Sequence, residues 1–311
     1  MMSGSPASST SILVTAPWLR DNLGRVKVLD CSWHLPTANR SAKHEFARAH
    51  IPGARFFDID TIKDLTRPDL PHMLPQPAFF ASAMDKFGID NHDHVVVYDS
   101  AGVGPACRVF WTFHAMGHDN VSVLDGGLPA WTAQGGETEA GPETAETSHT
   151  THSYVAHPDQ RIVCNYADVI GAIEELKASA GAHGRQIIDA RPHARFTGAA
   201  PEFRPGLSSG HMPMALSVPS SEMTITTDAS PAVLKRPADI RAAFEAAGVD
   251  LKRPIIASCG SGVTAAVLYF ALLNAGVDRS ALTLFDGSWT EYALNPHSEI
   301  IIDTPTKSNS N

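Results

Sequence analysis

Apolar residues along the chain fall into short continuous runs, set between longer stretches where they recur at helical spacing. The runs "VKVLD", "HVVVYD" and "VSVLD" occupy the first half, and "RQIID", "PIIASC" and "ALTLFD" the second. All but "ALTLFD" are rich in Val or Ile, and each run is short and mostly apolar, so each predicts a buried strand. Between them, "YADVIGAIEELKAS" from Tyr166 carries apolar residues at helical spacing, and "DIRAAFEAAG" from Asp239 is bounded by Pro237 and Gly248. Both predict surface-packing helices, and "TAAVLYFALLNAG", closed by Gly276, predicts a third. Strands alternating with helices predict an α/β fold built on mostly parallel sheets.

The landmarks also repeat. "VLD" ends at Asp30 and "IID" at Asp189, 159 apart; "HIPGA" starts at His50 and "HMPMA" at His211, 161 apart; "DGGLPAW" and "DGSWTEY" start at Asp125 and Asp286, again 161 apart. The chain therefore divides into a domain over 1–140, a linker over 141–160 and a second domain over 161–311. Residues 135–154, "GGETEAGPETAETSHTTHSY", have the acidic, Thr- and Gly-rich composition of a linker. "HIPGA" and "HMPMA" read as the turn that feeds a strand in each copy.

Composition narrows the class. A length of 311 residues suits two domains at roughly 150 each. No apolar run approaches the roughly 20 residues a membrane span needs, and a formal charge of -9 argues against nucleic acid or an anionic membrane as partner. Cys31, Cys107, Cys164 and Cys259 are scattered, with no Cys-x-x-Cys pair, which fits free thiols in a reducing compartment and disfavours a structural metal. The Ser-rich start has no Lys or Arg before Arg20, unlike a secretory signal or a transit peptide. The expectation is cytoplasm, with the mitochondrion as the alternative. His34, His44 and His50 lack ligand spacing, and Trp111, Trp131 and Trp289 read as packing residues.

One cysteine stands apart. "PIIAS" predicts a strand, "CGSGV" a turn and the following residues a helix, and in open parallel sheets ligands bind where strand ends lead into helices. A thiolate on Cys259 would gain from the helix N-terminus and from the convergent N–H groups of the turn. Gly260 and Gly262 are expected to supply left-handed conformations that curl the backbone around it. A Cys-x5-Arg phosphatase loop would need Arg where the chain has Ala265. Adding 159 to Ser100 gives 259, so the first copy is expected to hold a serine where the second holds the thiol.

These segments resemble the two-domain sulfurtransferases of the rhodanese superfamily, in particular those that use 3-mercaptopyruvate. The resemblance rests on "AHIPGARFFDID", "HMLP", "GVGPACRVFWTF", "VLDGGLPAW", "RFTGAAPEFRPG", "SGHMP", "FDGSW" and above all "CGSGVTA". It implies two tandem rhodanese-like domains, each a small mostly parallel sheet flanked by helices. It implies too that Cys259 takes sulfur from the donor as a persulfide, releases pyruvate and passes the sulfur to an acceptor thiol such as thioredoxin, or to cyanide. No metal or organic cofactor is implied. Thiosulfate-preferring relatives carry Arg and Lys after the cysteine, whereas this chain has Gly260 and Ser261, so thiosulfate is expected to be the poorer donor.

By the same resemblance Arg195, Arg204, Gly260, Gly262, Val263 and Thr264 bind the substrate, and Ser261, His72 and Asp60 form a proton-handling arrangement across the two domains. The bland reading of Arg195 and Arg204 is a loop ion pair with Glu202. The stretch from Asp60 to His72 is one residue longer than the family spacing, leaving Asp58 or Asp64 as substitutes. Two rivals stay open: a thiosulfate:cyanide sulfurtransferase, and a non-catalytic rhodanese-like sensor or interaction module.

Overall fold

Val95–Tyr98 and Ile255–Ser258 are buried along their whole length, and each is the middle strand of a five-stranded parallel sheet. The computed structural model describes residues 11–141, 153–227 and 230–303. In the first sheet β1 (Leu13–Val14), β2 (Lys27–Asp30), β3 (Arg55–Phe56), β4 (Val95–Tyr98) and β5 (Val121–Leu124) lie in the order β1-β5-β4-β2-β3. The second comprises β6 (Val163–Cys164), β7 (Gln186–Asp189), β8 (Leu216–Ser217), β11 (Ile255–Ser258) and β12 (Leu282–Phe285), in the order β6-β12-β11-β7-β8. Between β8 and β11 the chain inserts an antiparallel hairpin, β9 (Thr224–Thr227) and β10 (Ser230–Leu234). The central strands accept helices on both faces, which is why their sequences are apolar without alternation.

The two sheets have the same connectivity, so the sequence repeat is a structural duplication. First residues of matching strands are 159 apart at Lys27 and Gln186, 160 at Val95 and Ile255, and 161 at both Arg55/Leu216 and Val121/Leu282. The HIPGA and HMPMA turns match in detail. His50 stacks on Phe46 at 3.9 Å and His211 on Phe196 at 4.0 Å, and each ring Nδ1 lies within 2.9 Å of the carbonyl of the residue it stacks on. Both turns feed the short strands β3 and β8, as their sequence implies.

The expected helices form at Tyr166–Ala178, opened by a reciprocal Asn165/Asp168 capping box, and at Pro237–Ala246, where Pro237 is the first helical residue. Between the domains the helices Pro105–Ala115 and Val263–Asn274 pack against each other, both almost wholly buried. Phe110 and Phe270, 160 positions apart, meet edge-to-face at 4.9 Å, so the local two-fold relation between the halves passes through this ring pair. Removing such a side chain from water stabilises by about 1.5–3 kcal/mol. One buried cluster runs continuously from Leu29 and Val97 in the first domain to Leu268 and Leu284 in the second. Trp111, Trp131 and Trp289 are all fully buried packing residues.

Of the expected linker, residues 142–152 lie outside the described residues. The part after it packs on the first domain, with Tyr154 edge-on to Phe80 at 5.7 Å and the His157 N–H donating to the Met116 carbonyl. Among the described residues no helix is long and apolar enough to cross a membrane.

Candidate active site

β11 ends at Ser258, Cys259 follows, and Gly262 starts the helix Val263–Asn274 from a left-handed conformation, φ +78°. A Cβ at Gly262 would lie 2.6 Å from Arg108 Nη1. Gly260, against expectation, is not in the left-handed region, and a Cβ there would meet only Arg204 Nη1 at an ordinary 3.7 Å. The loop is held from behind: the Cys259 N–H donates to Ser288 Oγ at 3.2 Å, and Thr290 Oγ1–H donates to the Gly260 carbonyl at 2.6 Å.

The first domain answers the question of what such a loop holds. Strand pairing aligns Asp30 with Tyr98 and Asp189 with Ser258, so the counterpart of Cys259 is Asp99. Ser100, which an offset of 159 selects, sits one residue further on, because the offset at this strand is 160. The Asp99 carboxylate accepts N–H bonds from Ala101, Gly102, Gly104 and Ala106 at 2.9–3.1 Å. Burial pushes this carboxyl up and the four donors pull it back. A loop of this shape is an anion cradle, and in the second domain Cys259 stands at the position of Asp99.

Cys259 is only 2% exposed, yet it lines a cavity of about 190 Å³ with Arg195, Phe203, Ser261, Thr264 and Trp33. That is below the roughly 300–1,000 Å³ of sites for drug-sized ligands, which suits a small donor. Arg204 extends to 3.5 Å from Thr290 Oγ1, and both Arg195 and Arg204 lie over the ring of Phe203, at 5.3 and 4.6 Å. Partial burial holds the Arg204 guanidinium below its usual range, against the pull of Cys259, Glu202 and Asp60. Val263, the first residue of the helix, closes the cavity wall beside Thr264. A larger cleft of about 770 Å³ lies in the first domain beside Lys43, Phe46 and Asp58 and contains no cysteine.

His72 reaches this loop from the first domain. Its Nδ1 is 3.1 Å from Ser261 Oγ and its Nε2 3.0 Å from Asp60 Oδ1. With Asp60 ionised, Nε2 carries the proton and Nδ1 accepts from the Ser261 hydroxyl. Trp33 Nε1 donates to the other Asp60 oxygen at 2.9 Å, and its ring stands edge-on to His72 at 4.8 Å. Burial lowers the His72 pKa, helped by Arg108 and Arg204 and opposed by Asp60. The imidazole hydrogen bond lowers that of Asp60. Asp64 instead accepts from Thr66 and Gln76, and Asp58 caps its own turn by accepting the Asp60 N–H, so Asp60 is the carboxylate His72 meets.

Sequence reasoning missed three residues here. Arg191 forks onto Asp189 and Glu202 at 2.7 Å each, lies over Trp289 at 4.2 Å and carries Glu202, from which Arg195 is 3.7 Å away. The ion pair offered as the bland reading of the loop therefore belongs chiefly to Arg191, leaving the side chain of Arg195 partly free toward the cavity. Arg108 and Asp286 pair across the domains at 2.6 Å. Cys31, Cys107 and Cys164 are buried and unpaired, and burial pushes all three thiols up, Cys164 to about 12.

Comparison with known proteins places this geometry. The family described as Rhodanese-like domain matches residues 15–134 and 172–295. The probable 3-mercaptopyruvate sulfurtransferase of Schizosaccharomyces pombe is 39% identical over 290 residues, 92% of this chain and 93% of that protein. An Arabidopsis thaliana mitochondrial thiosulfate/3-mercaptopyruvate sulfurtransferase is 38% identical over 306 residues, covering 94% and 79%. The crystal structure of SseA from Escherichia coli, described as a 3-mercaptopyruvate sulfotransferase of rhodanese fold, superposes with a TM-score of 0.76 at 37% identity over 90% of this chain and 99% of that one.

Proposed function

The chain belongs to the rhodanese-like family, and from that premise we propose that it is a 3-mercaptopyruvate sulfurtransferase that works through a persulfide on Cys259. Arg195 and Arg204 take the carboxylate and carbonyl of the keto acid, as planar guanidinium forks do with two oxygens. The Cys259 thiolate attacks the donor sulfur. A new S–S bond forms, the C–S bond breaks, and its electron pair leaves on carbon as the enolate of pyruvate. That carbon needs one proton, and the Ser261 hydroxyl, backed by His72 and Asp60, handles it. An acceptor thiol such as thioredoxin, or cyanide, then removes the outer sulfur and restores Cys259. The N–H groups around residues 260–264 stabilise the sulfur anion at each stage, as their counterparts do for Asp99.

The observation that carries this reading is the line Asp60–His72–Ser261, which ends two residues from Cys259 at the cavity edge. Thiosulfate is the poorer donor, because the loop after the cysteine offers Gly260 and Ser261 rather than cations. The reading of the compartment remains cytoplasm, with the mitochondrion as alternative.

Steady-state turnover with both donors tests the proposal. Cys259→Ser should abolish sulfur transfer from either. Arg204→Gly should raise KM for mercaptopyruvate about tenfold to a hundredfold, the worth of a charge-assisted bond, and for thiosulfate far less. Equal rises for both donors would remove the carboxylate clamp, and transfer by Cys259→Ser would remove the persulfide.

A further inference from the structure

His72 is the member of the hydrogen-bonded line that reaches from the first domain to Ser261 in the second, and its backbone sits in the left-handed region, φ +59°. For a residue other than glycine that conformation is strained and persists only where neighbours impose it. Arg108 imposes it. From the middle of the buried helix Pro105–Ala115, its Nη2 donates to the His72 carbonyl at 2.5 Å and to Asp286 Oδ1 at 2.6 Å. The other Asp286 oxygen accepts the Leu74 N–H at 2.8 Å. Nη1 has no hydrogen-bond partner among the described residues and lies under Gly262, where a Cβ would come within 2.6 Å. One guanidinium thus touches the arm that carries His72, the domain that carries Cys259, and the underside of the loop between them.

The internal repeat supplies a control. The second domain sends an arm over the first as well, and the Leu234 N–H donates to Asp125 at 2.9 Å, the counterpart of Leu74 on Asp286. That arm carries no histidine to the opposite loop. Through the Phe110/Phe270 pair, the residue matching Arg108 is Leu268, fully buried in apolar surroundings. Arm and carboxylate are therefore present twice, but the guanidinium only where an imidazole has to be aimed. Holding two arms down does not need a buried cation.

We propose that Arg108, anchored by Asp286, is a positioning residue that holds His72 in register with Ser261. The inference rests on the proton-handling role given to His72, and a mutant cycle separates the two. His72→Ala should lower kcat about a hundredfold, within the range for acid-base groups. Arg108→Leu, which installs the second domain's own residue, should lower kcat about tenfold to a hundredfold by misplacing the ring, with the donor KM unchanged. In the His72→Ala background Arg108→Leu should cost almost nothing more, and Arg108→Lys should recover part of the rate in the His72 protein. Asp286→Asn repeats the cycle if Arg108→Leu does not fold, with the same dependence on His72. An equal fall in both backgrounds would make Arg108 a general interface residue and overturn the inference, as would wild-type kcat in Arg108→Leu. Wild-type turnover in His72→Ala would sink the role of His72 first, and this inference with it.

Discussion

The loops after β4 and β11 are the same device in two conditions, one filled and one open. After β4, Asp99 turns its carboxylate into the ring of N–H groups and satisfies them, and the β9–β10 hairpin closes over it. The closure is tight enough that a Cβ on Gly102 would fall 2.3 Å from the Ala232 carbonyl oxygen. After β11 the first side chain is a thiol, and the arm laid over it delivers His72 while leaving a cavity flanked by Arg195. The lesson is that the two domains share the backbone loop. Chemistry enters through the residue at the centre and through what the opposite arm brings.

The most severe way to break that comparison is to move the thiol. Asp99→Cys in a Cys259→Ser background should leave sulfur transfer at least about a thousandfold below wild type, because nucleophile and partner groups act as a unit, and among the described residues no arginine or histidine bonds the Asp99 carboxylate. Mass spectrometry after donor treatment should find no added sulfur on the new cysteine. Turnover anywhere near wild type would mean that the cradle alone suffices and that covering arms are incidental.

A gentler test places the same methyl group in each loop. Gly262→Ala should push Arg108 from beneath the site and lower kcat about tenfold. Gly102→Ala should instead lower stability by about 1–3 kcal/mol, through its left-handed backbone and the Ala232 contact, with kcat/KM unchanged. Urea unfolding and turnover on both variants separate the outcomes. If the two glycines gave the same profile, the loops would not differ in function.

What the sequence discloses about this contrast depends on range. Cys259 and Gly262 are legible because strand, turn and helix follow one another directly, whereas Ser261, Arg195 and Arg204 come through the family resemblance. Asp60 and His72 are legible only through the family motif, since their meeting with Ser261 spans 189 positions. Asp99 was missed by one residue because insertions and deletions move the repeat from 159 at β2 to 161 at β3, 160 at β4 and 161 at β5. Arg108 left a local signal, a cation in the middle of the apolar run "ACRVFWTF", but its carboxylate lies 178 positions away. Such pairing is written in tertiary contact, which spacing along one chain does not encode.

The smallest expected difference between the halves lies at the far ends of the two interface helices. The first helix carries His114 in its last turn, and 160 positions on the second ends at Asn274. His114 is buried beneath Arg279, which donates to its carbonyl, and neither ring nitrogen has a partner among the described residues. Burial, with the nearby guanidinium, drives its pKa from 6.5 down to about 3. The folded protein therefore keeps this ring neutral at pH values where the unfolded chain protonates it, and stability falls as pH drops from 6.5 toward 3, by up to about 1.4 kcal/mol per unit. Above 6.5 the group contributes no slope. His94 and His118, also lowered by burial, tilt the curve the same way and remain in any variant. His114→Asn, which installs the second domain's residue, should flatten the acid side, so that the stability lost between pH 6.5 and 5.5 shrinks by about 1 kcal/mol in urea titrations. An unchanged slope would show that His114 takes up its proton as readily in the folded protein as in the unfolded chain.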